Sequence, residues 1–297
     1  MTRDIRSGLT VALGLLGACG TRPPATFVQA DTGFYQEVSW RPDGTALAVS
    51  VLDPAPGDPG FTYRVFEVGL DNPQPRQVTP GPMDYWTAWS PDGSQLAFNG
   101  GRGPAADIFL VRTDGTGRRR LTTDSAQDIQ PDWSPDGKHI AFVSNRGGSE
   151  QVWVMNADGG EPRRLVEGEG QAQNPRWSPD GTRIAYYETD GAGHDFLTLV
   201  NADGTGRRRL GPGVWPSWTP AGDSLVFSGP EGLYIASADG SGGRLLRAGD
   251  IVSGEISPDG SRLAFIEKVN GDITLTVAAI DGSGRRLLLR RPAPKWE

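Results

Sequence analysis

Cysteine is almost missing from this chain. Cys19 is the only one in 297 residues, so no intrachain disulfide can hold the fold. Histidine is nearly as scarce, at positions 139 and 194, which leaves little for a His-ligated metal or a charge-relay triad. Lysine occurs only at 138, 268 and 295, so arginine supplies 26 of the 29 basic residues. A basic balance is lacking too: the formal charge is −7, and nucleic acid, which needs a net basic face, is not an expected partner. Helical patterning is almost absent beyond residue 20. There is no G-x-S-x-G elbow, no H-E-x-x-H pair and no glycine-rich phosphate loop after a strand. Neither a cofactor nor a metal is expected, and an enzyme is the minority reading.

Glycine (42), proline (24) and tryptophan (9) are plentiful, and they fall in register. The segment from Ile129 to Val166 shows how. IQPDW (129–133) is an extended run that meets a turn, SPDG (134–137). Pro135 pre-sets φ there, Asp136 bonds back to the backbone and Gly137 takes the positive-φ position. HIAFVS (139–144) alternates and breaks at NRGG, QVWVMN (151–156) returns to a second Asp-Gly turn at 158–159, and PRRLV (162–166) is a last strand. The product is a four-stranded antiparallel meander that cannot cover both of its faces alone.

That unit recurs. RPDG follows Trp40, SPDG follows Trp89, Trp133 and Trp177, TPAG follows Trp218, and SPDG follows Ile256, at spacings of 49, 44, 44, 41 and 38 residues. Six copies of a four-stranded unit predict an all-β, six-bladed β-propeller over 33–291, followed by a tail at 292–297. Each blade owns its four strands, so no strand need be exchanged between the chain ends.

The first residues read as an export signal. Arg3 and Arg6 precede a short apolar core, LTVALGLLG, which is too short to span a bilayer as a permanent helix. Leu16-Gly17-Ala18-Cys19 resembles the bacterial lipoprotein signal. The expectation is therefore a signal peptide at 1–18, a lipidated Cys19, and a tether through 32 that contains Pro23 and Pro24. Gly20 rather than Asp after the cysteine implies, through the same resemblance, the outer membrane facing the periplasm. The alternative is an ordinary secretory signal that happens to contain a cysteine.

The blade sequence resembles the WD40-like, PD40-type repeat of TolB-like propellers, P-x-W-S-P-D-G-x-x-I-A-F followed by an I-Y-V-M-x-x-D-G strand pair and R-x-L-T. Blade 2 has AWSPDGSQLAFNG, IFLVRTDG and RRRLT; blade 3 has PDWSPDGKHIAFVSNRGG, VWVMNADG and RRLV. The resemblance implies a fold and not an activity. Proteins of this kind can carry an α/β domain before the propeller. With 13 residues between Cys19 and the first blade, that domain and contacts depending on it are not expected here.

Site residues are sought on the innermost strands and on the variable loops. Three residues before each Trp (or Ile256) stand Glu37, Trp86, Gln130, Asn174, Trp215 and Ser253; one residue before stand Ser39, Ala88, Asp132, Arg176, Ser217 and Glu255. Strict alternation would point both sets into a polar central channel. Trp86 and Trp215, on opposed blades, are expected to flank its mouth, and Asp132 and Arg176, on neighbouring blades, to pair deeper in. The alternative has both indoles packing against neighbouring blades. Tyr85 and His194 join the set from the loops, on a face read as acidic through Asp84, Asp124, Asp128, Glu167, Glu169 and Asp190. Arginines on the fourth strands have two readings: charges that block edge-to-edge pairing, or a basic rim that meets anionic lipid or polymer. The Asp-Gly turns need no calcium, since each offers only one or two carboxylates where a calcium loop needs about six oxygens.

The function expected is a non-catalytic, lipid-anchored scaffold of the bacterial cell envelope. It would dock a protein or an envelope polymer on its loop face and at the channel mouth. The alternative is an enzyme acting on a saccharide or peptide in the central pocket.

Overall fold

The structure is a computed structural model, and it describes residues 35–54, 61–101, 103–168 and 170–292. The expected signal peptide, Cys19 and the tether lie outside the described residues, as do Glu169 and 293–297. Six four-stranded antiparallel sheets form, each from strands consecutive in sequence. Blade 1 runs from β1 (Tyr35–Trp40) to β4 (Arg76–Gln77), and blade 2 from β5 (Asp84–Trp89) to β8 (Arg119–Arg120). Blade 3 runs from β9 (Asp128–Trp133) to β12 (Arg163–Arg164), and blade 4 from β13 (Gln171–Trp177) to β16 (Arg208–Pro212). Blade 5 comprises β17 (Val214–Trp218), β18 (Ser224–Gly229), β19 (Gly232–Ser237) and β20 (Arg244–Ala248). Blade 6 comprises β21 (Asp250–Ile256), β22 (Arg262–Val269), β23 (Asp272–Ala279) and β24 (Arg286–Pro292).

The repeated turn explains its own sequence. In blade 3 the Gly137 amide donates to Ser134 O at 2.9 Å and Gly137 sits at φ +69°. Ser134 Oγ donates to Asp136 Oδ1 at 2.6 Å, and that carboxylate also accepts the Lys138 amide at 3.1 Å. Blade 5 has Ala221 in place of the aspartate, and Asp223 takes over by accepting Thr219 Oγ1 at 3.0 Å. The turn carboxylates are thus spent on local hydrogen bonds.

Every seam between blades has its own apolar cluster, including the seam between blades 6 and 1, where Trp40, Leu47 and Val49 meet Ala264, Ile266 and Leu275. In three blades the tryptophan before the turn also donates across the seam. Trp40 Nε1 donates to Glu255 O at 3.0 Å, Trp89 Nε1 to Ser39 O at 3.3 Å and Trp218 Nε1 to Arg176 O at 3.0 Å. The residue just after the turn reinforces the contact. Arg183 lies 4.8 Å over Trp218 and donates to Gly222 O; Arg262 lies 5.2 Å over Trp40 and donates to Gly44 O. Blade 6 therefore closes on blade 1 with the same contacts that join blades 4 and 5.

Candidate functional site: the central channel and its mouth

The innermost strands depart from strict alternation. In every blade the pairing of first and second strands shifts register by one residue, as between Tyr85 and Thr87 or between Gln173 and Arg176. Such a bulge re-aims the residues before it, so the expectation that all odd offsets share one side is corrected. In blades 2 to 5 the bulge holds Trp86 (φ +50°), Gln130 (+55°), Asn174 (+52°) and Trp215 (+56°) in the left-handed region. Asparagine tolerates that region; for tryptophan and glutamine it costs about 1–2 kcal/mol each. Ser253, at the same position in blade 6, is not in that region. Strained backbone at one level of four successive blades marks the mouth as a place where geometry is imposed by the surroundings.

Two side chains span the channel. Trp86 of blade 2 packs on Ala106, Ile129 and Val143 at the blade 2–3 seam, and also on the Tyr187–Val214–Trp215 cluster of blades 4 and 5. The mouth is thus bridged by the indole, where the sequence suggested two indoles flanking an opening. Tyr85 and Tyr63 extend the aromatic surface, with ring centroids 4.7 Å from Trp86 to Tyr85 and 5.1 Å from Tyr85 to Tyr63. Tyr187 lies 6.2 Å from Trp215. Trp215 is buried, and Trp86 Nε1 is buried without a hydrogen-bond partner. Below, Gln130 Oε1 accepts the Asn174 amide at 2.7 Å, while Ser253 Oγ is buried and unpartnered.

The second bridge is ionic. Arg176 of blade 4 pairs with Glu37 of blade 1 on the far side, and stands 3.4 Å from Asp132 of blade 3. Glu255 of blade 6 adds a third carboxylate to the field of that guanidinium. Asp132 Oδ2 accepts the Trp177 amide at 2.7 Å and Glu255 Oε2 the Trp40 amide at 2.9 Å, so each also caps the next blade's inner strand. Burial pushes Glu255 up to about 7, against the pull of Arg176, and holds Asp132 well above the usual carboxylate range. Glu37 is buried, and Asp132, Arg176 and Glu255 are half-buried.

The loop face is less acidic than its sequence. Asp84 is fully buried against Arg118, Asp128 is buried against Arg146, and Arg146 also holds Asp124. Glu167 pairs with Arg164 and Asp190 with His194, at 3.3 Å from Nδ1. Much of the rim arginine is therefore spent internally. Arg119, Arg163 and Arg208 go instead to main-chain carbonyls of the next blade's second turn, at Asp158, Ala202 and Asp239. His139 stacks on Trp177 at 6.4 Å, the place that Arg183 and Arg262 fill elsewhere. The two histidines thus sit apart, each in a structural contact. Among the described residues no three His, Cys, Asp or Glu side chains are grouped to hold a metal ion. Sequence reasoning missed Tyr63 and Tyr187 at the mouth; both lie on second or third strands, where nothing in the repeat distinguishes an inward tyrosine from a core residue.

Six closed blades of four strands, five of them with a tryptophan and the sixth with Ile256 before the repeated turn, define a propeller of the PD40 class. Residues 80–241, more than half of the chain, match the family described as TolB beta propeller domain, and the chain belongs to that family. It is similar to the Tol-Pal system protein TolB of Anaeromyxobacter dehalogenans (strain 2CP-C), 35% identical over 91 residues, which are 31% of this chain and 20% of that protein. The same protein of Anaeromyxobacter sp. (strain K) is 34% identical over 91 residues, with the same coverage. The match spans about a fifth of these relatives' length. In structure the chain resembles TolB from Acinetobacter baumannii (TM-score 0.56, 19% identity, 84% of this chain and 53% of that one). It also resembles a putative TolB from Agrobacterium tumefaciens (0.57, 21%, 88% and 82%). An oligogalacturonate lyase in complex with manganese is as similar (0.59, 15%, 89% and 83%). At these identities the structural likenesses show the fold alone.

Proposed function

We propose that this chain is a non-catalytic binding scaffold of the bacterial cell envelope. It is anchored through an acylated Cys19 to the outer membrane, faces the periplasm, and docks a protein or envelope polymer at the channel mouth and the loops around it. The observation that carries this reading is Trp86. A large aromatic side chain held at positive φ, with its indole nitrogen unpartnered, bridges the mouth above a polar channel. A partner group would stack on the exposed part of this aromatic surface. The names of the curated relatives, proteins of the Tol-Pal system, support a protein partner in the envelope. Tyr85, Trp86 and Trp215 supply the stacking surface, Gln130, Asn174 and Ser253 the polar ring beneath, and Glu37, Asp132 and Arg176 the charged floor. His194, tied to Asp190, borders the site from its loop.

Affinity capture from the native envelope tests the reading. Trp86→Ala is expected to lower partner recovery at least tenfold, on the order of a binding hot spot; because the indole also packs on Ala106, Ile129 and Val143, the substitution costs stability as well, and recovery is compared below the variant's unfolding midpoint. Recovery equal to the parent chain would refute the mouth as the docking site. The enzyme alternative predicts turnover of an envelope saccharide or peptide that is lost on His139→Ala with His194→Ala.

A further inference from the structure

Blades 5 and 6 break the pattern of the outer strands at two adjacent positions. The residue opposite Phe66, Phe109, Trp153 and Thr198 in blades 1 to 4 is Gln77, Arg120, Arg164 and Arg209. In blades 5 and 6 it is Leu245 and Leu287. The residue before it is arginine in all six blades, and in blades 2 to 4 that arginine is committed to the next blade's turn. Arg244 and Arg286 are exposed and, among the described residues, make no such contact and no ion pair. Leu245 and Leu287 are 37% and 52% exposed. With Val269, also on blade 6, they are the three exposed large apolar side chains among the described residues. β20 and β24 contain no acid.

We infer that the outer edge of blades 5 and 6 is a membrane-docking surface that rests on an anionic phospholipid bilayer. An exposed leucine beside an uncommitted arginine on each of two adjoining blades suits the interface between headgroups and acyl chains: the apolar side chain inserts while the guanidinium stays with phosphate. Charge complementarity favours lipid over a second copy, since two such edges would bring four unpaired arginines together. The position in the ring agrees. Blade 6 adjoins blade 1, where the chain enters the propeller, and the 15 residues between Cys19 and Tyr35 let the two lie at most about 55 Å apart. The inference rests on the lipid anchor only for the nearness of a bilayer.

The test uses the chain from residue 20 onward, which carries no acyl group and keeps all six described sheets and the blade 6–blade 1 seam. It is sedimented with vesicles of phosphatidylcholine alone and of phosphatidylcholine mixed with phosphatidylglycerol, at low and high salt. Binding is expected only to the anionic vesicles and is lost at high salt. Leu245→Gln with Leu287→Gln, and separately Arg244→Gln with Arg286→Gln, should each lower partitioning about tenfold or more, each basic residue being worth roughly fivefold at such a surface. Both pairs are exposed, so the unfolding midpoint should hold; if the leucine pair fails to fold, the arginine pair decides. Equal binding to both vesicle types, or binding that neither pair of substitutions weakens, overturns the inference. So does self-association that the leucine substitutions abolish, which would assign the edge to a second copy. Because the chain tested is not acylated, the surface and the anchor can fail independently.

Discussion

At position 176 one guanidinium faces three carboxylates contributed by three other blades, Glu37, Asp132 and Glu255. The site therefore carries more negative than positive charge in a setting poor in water, and protonation relieves the excess. Glu255 is the group to watch. Its ordinary value is 4.5 and burial raises it to about 7. Between those two values the folded protein holds a proton that the unfolded chain has released. Stability attributable to Glu255 is thus intact below the lower value and declines as pH rises through the upper one. Glu255→Gln retains an acceptor for the Trp40 amide and cannot ionise. Its unfolding midpoint should match the parent's near pH 4 and exceed it near pH 8, a window that follows from the two values above. Parallel pH profiles for the two proteins would show that Glu255 is already neutralised by Arg176 at every pH.

The element that repeats, a tryptophan followed by a Pro-Asp-Gly turn, combines two contributions of unequal size. Trp133 is buried among Ala88, Ile108, Ile140 and Phe142 at the blade 2–3 seam. Trp133→Ala should cost about 3–5 kcal/mol. Asp136 is exposed and makes only local hydrogen bonds, so Asp136→Ala should cost about 1 kcal/mol. Blade 5 shows that the turn closes without it, through Asp223. Denaturant titration of the two variants checks the order, and equal losses would mean that the turn rather than the seam limits stability. The same turns explain why Asp180 and Asp259 are held down at about 2: the serine hydroxyl two residues earlier donates to each carboxylate. What these hydrogen bonds contribute persists above the ordinary carboxylate value and is lost as pH falls through about 2.

For the whole molecule the decisive feature is that closure lies within the described residues. Trp40 and Arg262 join blade 6 to blade 1, and each of the two blades has its four strands within 35–292. Cys19→Ser should therefore leave the propeller folded and abolish membrane retention. Fractionation after salt and carbonate washing measures this, since washing strips peripheral contacts at the blade 5–6 edge and leaves an acyl anchor in place. A Cys19→Ser chain that stays with the membrane after both washes would refute lipid anchoring.

The repeat alone determined the six blades, their four strands and the turn chemistry, because turn residues and strand alternation act over a few neighbouring positions. Asp132 and Arg176 could be matched from sequence for the same reason, as equivalent positions in consecutive repeats. The channel's true state was decided only by tertiary structure. A one-residue bulge in each inner strand depends on pairing with the second strand, and it turned Trp86 across the axis instead of leaving it at one side. Likewise the acids of the loop face look free in sequence. Closing the ring and pairing its strands bring Arg118 to Asp84 and Arg146 to Asp128, since contacts between distant residues exist only once the chain has folded around its axis.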